Sequence, residues 1–259
     1  MRIQSLTIRV VSCVILIATW WLLTDAIPLF SPIILPSPID VARSAVTLAR
    51  DGGLKSGGLY EANLFGHILI SLWRVSLAWT CAVALALPLG FALGAWPVVS
   101  RYVDLSVRIA SQIPPIAFIP LAIVWFGLGE APILFIIFIG ALWAMLTSVE
   151  SGIRSVPPLL VRAARSQGAS ELQVFTRVIL PAALPYIFTG MRVSFGIAWV
   201  AIVAGELVAS SSGLGYLIEH ARRILASSDI IVGMICIGVI GVLFDTLFRT
   251  VERRICRWK

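Results

Sequence analysis

Long runs without a single Asp, Glu, Lys or Arg dominate this sequence: Val10–Thr24, Val75–Ser100, Ile109–Gly129, Ala131–Val149 and Ile230–Phe244. A further apolar region, Val178–Gly205, is interrupted only by Arg192. A helix that crosses a bilayer needs roughly 20 mostly apolar residues, which the shorter runs reach once their flanks are included. The expected fold class is therefore all-α, a polytopic membrane protein with about six transmembrane helices. The spans are predicted near residues 9–28, 69–97, 107–129, 131–150, 183–207 and 229–249, with a non-spanning helix around His67–Trp73 as an alternative start for the second. Composition agrees. Of 259 residues 59% are hydrophobic and 13% charged, against roughly 25% charged in a soluble domain. Mean hydropathy is +0.98.

The same counts exclude other classes. Disorder requires low hydrophobicity. A disulfide scaffold requires denser cysteine than four in this length, and Cys13, Cys81 and Cys236 lie in apolar runs. No C-x-x-C pair occurs and His67 and His220 are the only histidines, so no metal site is expected. The first span follows Arg2 and Arg9 but precedes no A-x-A cleavage site, which marks a retained anchor rather than a signal peptide. Val10-Val11-Ser12-Cys13 is not a lipoprotein box, because its apolar run lies after the cysteine.

Six spans place both termini on one side. With a cytoplasmic N-terminus, 13 of the 20 Lys and Arg residues lie inside (2, 9, 101, 108, 154, 162, 165, 177, 249, 253, 254, 257 and 259) and five outside (43, 50, 55, 222 and 223). This satisfies the positive-inside rule. The net charge of +7 thus reflects topology. The basic residues are dispersed over separate loops, which argues against nucleic-acid binding.

Two connecting segments carry local signals. In the first outer segment, Ser37-Pro38-Ile39-Asp40 predicts a helix start, with Ser as N-cap and Pro at the first turn. Ile39, Ala42, Val46 and Ala49 share a modest apolar face, and Gly52-Gly53 stops the helix. It is either an interfacial helix or a connector. The predicted organisation is an anchor over 1–34, an external segment over 35–68 and a core over 69–259. Within that core, the inside loop at about 151–182 reads as a hairpin. Pro157-Pro158 opens a helix to about Ser166, Gly168 turns the chain left-handed, Ser170 restarts a helix with Gln173 as capping-box partner, and Pro181 ends it. Such a hairpin either packs on its own bundle or offers its Ala163-Ala164 face to a groove.

The loop's residues Arg162-Ala163-Ala164-x3-Gly168-x9-Val178-Ile179-Leu180-Pro181 resemble the E-A-A-x3-G-x9-I-x-L-P loop of permease subunits of binding-protein-dependent ABC importers, with Arg162 in place of Glu. Further stretches are similar to the nitrate/sulfonate/taurine/bicarbonate branch: Ile113-Pro114-Pro115-Ile116-Ala117-Phe118-Ile119-Pro120-Leu121, Trp125-Phe126-Gly127-Leu128-Gly129-Glu130, Ala204-Gly205-Glu206-Leu207 and Gly213-Leu214-Gly215-Tyr216. The branch's usual Leu-Asn-Thr run is replaced by Met145-Leu146-Thr147. The resemblance implies a multi-pass subunit of the bacterial inner membrane, both termini cytoplasmic, importing a small anionic solute. It implies a second permease copy, two ABC ATPase subunits that bind ATP and Mg, and a periplasmic or lipid-anchored binding protein. Arg162, Ala163, Ala164, Gly168, Ala169, Ser170, Leu180 and Pro181 would form the ATPase-coupling element.

No catalytic residue or cofactor is expected on the chain itself. A P-loop needs G-x4-G-K-[ST], and the only lysines are Lys55, preceded by Leu54, and Lys259. A stand-alone secondary transporter or channel would need internal repeats or paired mid-membrane charges. An intramembrane enzyme would need H-E-x-x-H or G-x-S-x-G. Candidate translocation-path residues are Pro114, Pro115, Arg192, Glu206 and Ser210. Glu206 lines the path, braces a gate or makes a buried hydrogen bond. Arg192 attracts an anion or snorkels. The prolines expose carbonyls or simply kink a helix.

Overall fold

Inside a bilayer, backbone N–H and C=O groups find no water, so a spanning segment must pair them within itself. The computed structural model, which describes residues 2–26, 31–51 and 63–256, is helical accordingly, with no strand among the described residues. Helix α1 (Arg2–Trp21) runs on as a π-helical turn to Ala26, and α2 (Pro38–Asp51) follows. Then come α3 (Leu64–Ala95), α4 (Pro97–Ser111), a 3-10 turn (Pro115–Phe118) leading into α5 (Ile119–Phe126), and α6 (Glu130–Arg154). The remainder is α7 (Pro158–Ser166), α8 (Glu171–Val174), a π-helical turn (Phe175–Ile179), α9 (Leu180–Ala209), α10 (Leu214–Arg223) and α11 (Ser227–Ile255).

Four helical segments are long and apolar enough to cross a membrane: Leu64–Ala95, Glu130–Arg154, Glu171–Ala209 and Ser227–Ile255. The second predicted span has no separate helix at its start, since α3 is continuous from Leu64. The third, expected as one helix over 107–129, is broken. Val98–Ser111 and Pro115–Phe126 meet at 85°, and count as a fifth span only if taken together. The cause is Pro114-Pro115: neither donates an N–H, and each disfavours helix at the residue before it. In α1 the apolar part is Val14–Ala26, shorter than a span. The first predicted span extends into residues outside the described ones, as do Gly52-Gly53, Lys55 and Lys259.

The described residues divide into two compact units, one of residues up to Ile70 with Ser212–Gly238, the other of Ser71–Ser211 with those from Val239 onward. In the first, Ser37 caps α2 as predicted: its Oγ accepts the Asp40 N–H at 3.2 Å and donates to Asp40 Oδ2 at 3.0 Å. The apolar stripe points outward, with Ile39 47% and Val46 52% exposed, while Val41 and Leu48 are buried. Also in this unit, Gly213 takes φ +104° ahead of α10 and donates its N–H to His67 Nδ1 at 3.0 Å. That fixes the Gly213-Leu214-Gly215 turn against α3. On α10, the Arg222 and Arg223 guanidiniums hold the Glu219 carboxyl down to about 2.

The second unit is organised around α6 and α9, which pack along their lengths; Ile133, Ile137, Ala141, Met145 and Val149 of α6 and Ala198 and Ile202 of α9 are buried. Their approach is close enough to require glycine. A methyl at Gly190 would stand 2.5 Å from Ser148 Cβ, and one at Gly152 2.7 Å from Tyr186 Cβ. Small residues at a membrane helix crossing bring backbones together where no hydrophobic effect drives association. Gly190→Ala is therefore expected to destabilise the subunit by about 1–3 kcal/mol, as overpacking does. Thermal unfolding in detergent should place its midpoint below that of the parent. Gly238→Ala, where an added methyl meets nothing within 4 Å, should leave the midpoint in place.

Candidate functional site

The loop between α6 and α9 is largely exposed. Val156, just before Pro157, is buried, but no residue of α7 is. Leu159 is 71% exposed and Leu172 73%, and Arg162 and Ala163 are exposed between them. The turn closes α7 with two backbone bonds. Gly168 donates to Arg165 O at 2.9 Å and Ala169 to Ala164 O at 3.2 Å. This is a Schellman closure, which needs a left-handed residue at its centre; Gly168 has φ +82°. Ser170 then caps α8 reciprocally with Gln173, and Arg165 grips Glu171 across the turn at 2.9 Å through two nitrogens.

The two-helix hairpin predicted over 158–175 thus forms as expected in its turn and caps. Its end does not. Pro181 terminates nothing: the chain continues as helix from Glu171 to Ala209. A proline ring collides with the carbonyl four residues back. Here the preceding Phe175–Ile179 turn is widened to π geometry, with Leu180 N–H bonded to Phe175 O, which relieves the collision. Leu180 and Pro181 therefore join the hairpin rigidly to α9. The T-shaped pair of Phe175 with Phe91, centroids 5.6 Å apart, fastens it to α3.

Deeper in the same unit lies a charge cluster that sequence reasoning did not assemble. Arg74 on α3 is 2% exposed. Its Nε donates to Glu130 Oε2 at 2.7 Å and one terminal nitrogen to Glu130 Oε1; the other donates to Glu206 Oε1 at 2.8 Å. Ser71 Oγ lies 2.9 Å from both Glu206 oxygens. Three helices, α3, α6 and α9, meet on one guanidinium. Of the predicted path residues, Glu206 is this buried partner. Arg192 is on α9, 4.0 Å from Asp245 of α11. Pro114 and Pro115 stand at the α4/α5 break, and Ser210 is the extended residue that ends α9. These five are not gathered at one point. The cluster was legible in principle: an arginine inside an apolar span requires a carboxylate, and Glu130 and Glu206 stand at the start of one span and near the end of another.

Residues 83–257 match the family of binding-protein-dependent transport system inner membrane components. The chain belongs to this family. It is 34% identical over 255 residues to the taurine transport system permease protein TauC of Escherichia coli (strain K12), covering 98% of this chain and 90% of that protein. It is likewise 34% identical over 245 residues to a putative aliphatic sulfonates transport permease protein SsuC of Bacillus subtilis (strain 168), 95% of this chain and 85% of the relative. Among solved structures, the inward-facing MetNI methionine ABC transporter matches with TM-score 0.66 and 21% identity, over 74% of this chain and 95% of that one; this shows a shared fold. The chain is thus a multi-pass permease subunit of an ABC transport system, which sets aside the stand-alone transporter and intramembrane enzyme.

The cluster gives a stability prediction. Removing one member of a buried ion pair strands the other and costs about 3–5 kcal/mol. Glu206→Ala should lower unfolding stability in detergent by that order. The double variant Arg74→Met/Glu206→Leu should recover much of the loss, because no buried charge is stranded between α3 and α9. A Glu206→Ala variant as stable as the parent would rule out the brace.

Proposed function

We propose that this chain, chiefly its core over residues 69–259, is the membrane-crossing subunit of an ATP-driven importer for a small sulfonate-like anion. In this reading two copies form the passage, two ABC ATPase subunits bind and hydrolyse ATP with Mg, and a periplasmic or lipid-anchored binding protein delivers the solute. The names of the TauC and SsuC relatives supply the substrate class. The absence of a P-loop in the sequence assigns hydrolysis to a partner.

The observation that carries the reading is the hairpin of α7 and α8. It is rigidly closed, joined without a break to α9, and shows apolar Leu159, Leu160 and Leu172 together with Arg162 and Ala163 on its outside. Apolar side chains grouped on an exposed face mark a surface that a partner covers. An ATPase groove that moves on nucleotide binding would move α9 with the hairpin, a rigid-body switch between two packings. Arg162 stands where the family loop has Glu, so the groove is expected to differ there in charge.

Two outcomes follow. A methyl at Gly168 meets nothing within 4 Å and its φ is +82°, so Gly168→Val strains the backbone by on the order of 1–2 kcal/mol. Gly168→Val and Ala164→Arg should both insert and fold, yet lose the ATPase subunit in pull-down from detergent or lose solute-stimulated ATP turnover. Full association and turnover in both variants would remove the hairpin from coupling.

The second outcome concerns sidedness. The Lys/Arg asymmetry supports a cytoplasmic position for both termini. In a cysteine-free background, an impermeant thiol reagent should label Ser211→Cys on intact cells, and Arg254→Cys only after permeabilisation. Native Cys256 is buried and would report poorly on its side. Labelling of Arg254→Cys from outside would reverse the orientation and place the hairpin away from any ATPase.

A further inference from the structure

From Val239 onward α11 has two unlike sides. On one, Phe244 and Phe248 pack on Phe195 of α9, with ring centroids 4.3 and 5.5 Å apart. On the other, Val239, Val242, Leu243 and Leu247 are 53–67% exposed. Helical spacing carries these apolar rows straight into arginines. Val242, Thr246, Arg249 and Arg253 follow one another at intervals of four, three and four, and so do Leu243, Leu247, Thr250 and Arg254. All eight are exposed. The Thr246 and Thr250 hydroxyls donate to the Val242 and Thr246 carbonyls at 2.8 and 2.7 Å, so neither presents a free donor to a hydrocarbon surrounding.

The arginines at this end are short of carboxylates. Arg249 Nε lies 2.7 Å from Asp245 Oδ2, and Asp245 Oδ1 is 4.0 Å from Arg192 Nε on α9, so one carboxylate serves two guanidiniums. Arg253 and Arg254 have no ion pair among the described residues. Glu252 stands one and two positions from them along the helix and faces neither. A guanidinium presents a planar fork of donors that matches a phosphate group. Leu243 and Arg254 are about 16 Å apart along the helix axis, close to half the roughly 30 Å thickness of a bilayer's hydrocarbon core.

We infer that the exposed side of α11 from Val239 to Arg254 is a binding site for an anionic phospholipid, its phosphate held by Arg253 and Arg254 with Arg249 beside them, and its acyl chains laid along Val239, Val242, Leu243 and Leu247. The site is independent of which solute the subunit carries. Two facts together select this occupant: unsatisfied positive charge, and an apolar surface of one leaflet's depth that leads into it along the same rows. A soluble acidic protein answers the arginines and leaves the apolar rows uncovered. A second copy of the chain covers the rows, but of the carboxylates on this part of α11 Asp245 is already shared by two arginines. A lipid with a neutral headgroup covers the rows and leaves Arg253 and Arg254 without an excess of negative charge, whereas an anionic one satisfies both requirements.

The test titrates the full chain, purified in detergent, with dioleoyl phosphatidylglycerol or dioleoyl phosphatidylcholine and counts bound lipid by native mass spectrometry. Phosphatidylglycerol should bind roughly tenfold or more in preference to phosphatidylcholine. Arg253→Gln/Arg254→Gln should weaken its binding roughly 25-fold, about fivefold for each arginine, while Arg253→Lys/Arg254→Lys, which keeps both charges, should recover most of it. Arg222→Gln/Arg223→Gln removes the same charge from α10 and should leave binding at the parental level. If the double glutamine variant does not express, Arg254→Gln alone, at about fivefold, decides. Equal binding of the two lipids by the parent, or equal losses in the α10 and α11 variants, overturns the site. Displacement of the lipid by millimolar glycerol phosphate would show a site for a free phosphate group and overturn the lipid. Unchanged phosphatidylglycerol binding in the α11 variant, with an ATPase subunit lost from its pull-down, would assign the arginines to a protein partner and overturn it as well.

Discussion

A guanidinium inside a membrane protein cannot stand alone, and the placement of three helices follows from satisfying one. Arg74 is nearly inaccessible, and its three nitrogens are divided between Glu130 at the start of α6 and Glu206 near the end of α9. The division is unequal. The Glu206 side chain is wholly buried and further held by Ser71, whereas the Glu130 side chain is 63% exposed. A buried pair of this kind is a poor source of net stability compared with apolar packing, yet breaking it is costly. It works as a specificity device: only one arrangement of α3, α6 and α9 leaves no charge stranded. With their ends tied there, glycines 152 and 190 let α6 and α9 run close together along the rest of their lengths.

That arrangement bears on function through α9. The helix starts at the hairpin, passes the widened turn before Pro181 without losing continuity, and ends at the cluster. A displacement imposed on α7 and α8 is therefore carried by one helix toward Glu206, with no flexible joint in between. We propose that this is how nucleotide-driven movement of an ATPase reaches the substrate passage. The rigid parts are those that packing and hydrogen bonds over-determine.

Much of this was legible in the sequence, for identifiable reasons. Local signals were read correctly where the chemistry is local: Ser37 before Pro38, Gly168 between two short helices, Ser170 with Gln173. The hairpin's resemblance to the permease loop led to the family that the comparisons confirm. Readings failed where the answer depends on neighbours far along the chain. For α2 the apolar face of Ile39, Ala42, Val46 and Ala49 was legible, but not that Val41 and Leu48 are the residues that become buried. Pro181 was read as a terminator because a π turn upstream has no sequence signature. The 107–129 span was drawn straight through two prolines that bend it by 85°. Arg74 lies within the second predicted span, but only the tertiary structure brings residues 130 and 206 to it.

The central claim is that the α7–α8 hairpin is the surface on which an ATPase acts. The most direct test is site-specific photo-crosslinking in the native membrane, with the photoreactive residue at Ala163 on the hairpin or at Ile224, exposed at the end of α10. The account predicts that the probe at 163 captures the ATPase subunit and that the probe at 224 does not. Capture from 224, with none from 163 in a complex that still hydrolyses ATP, would contradict it.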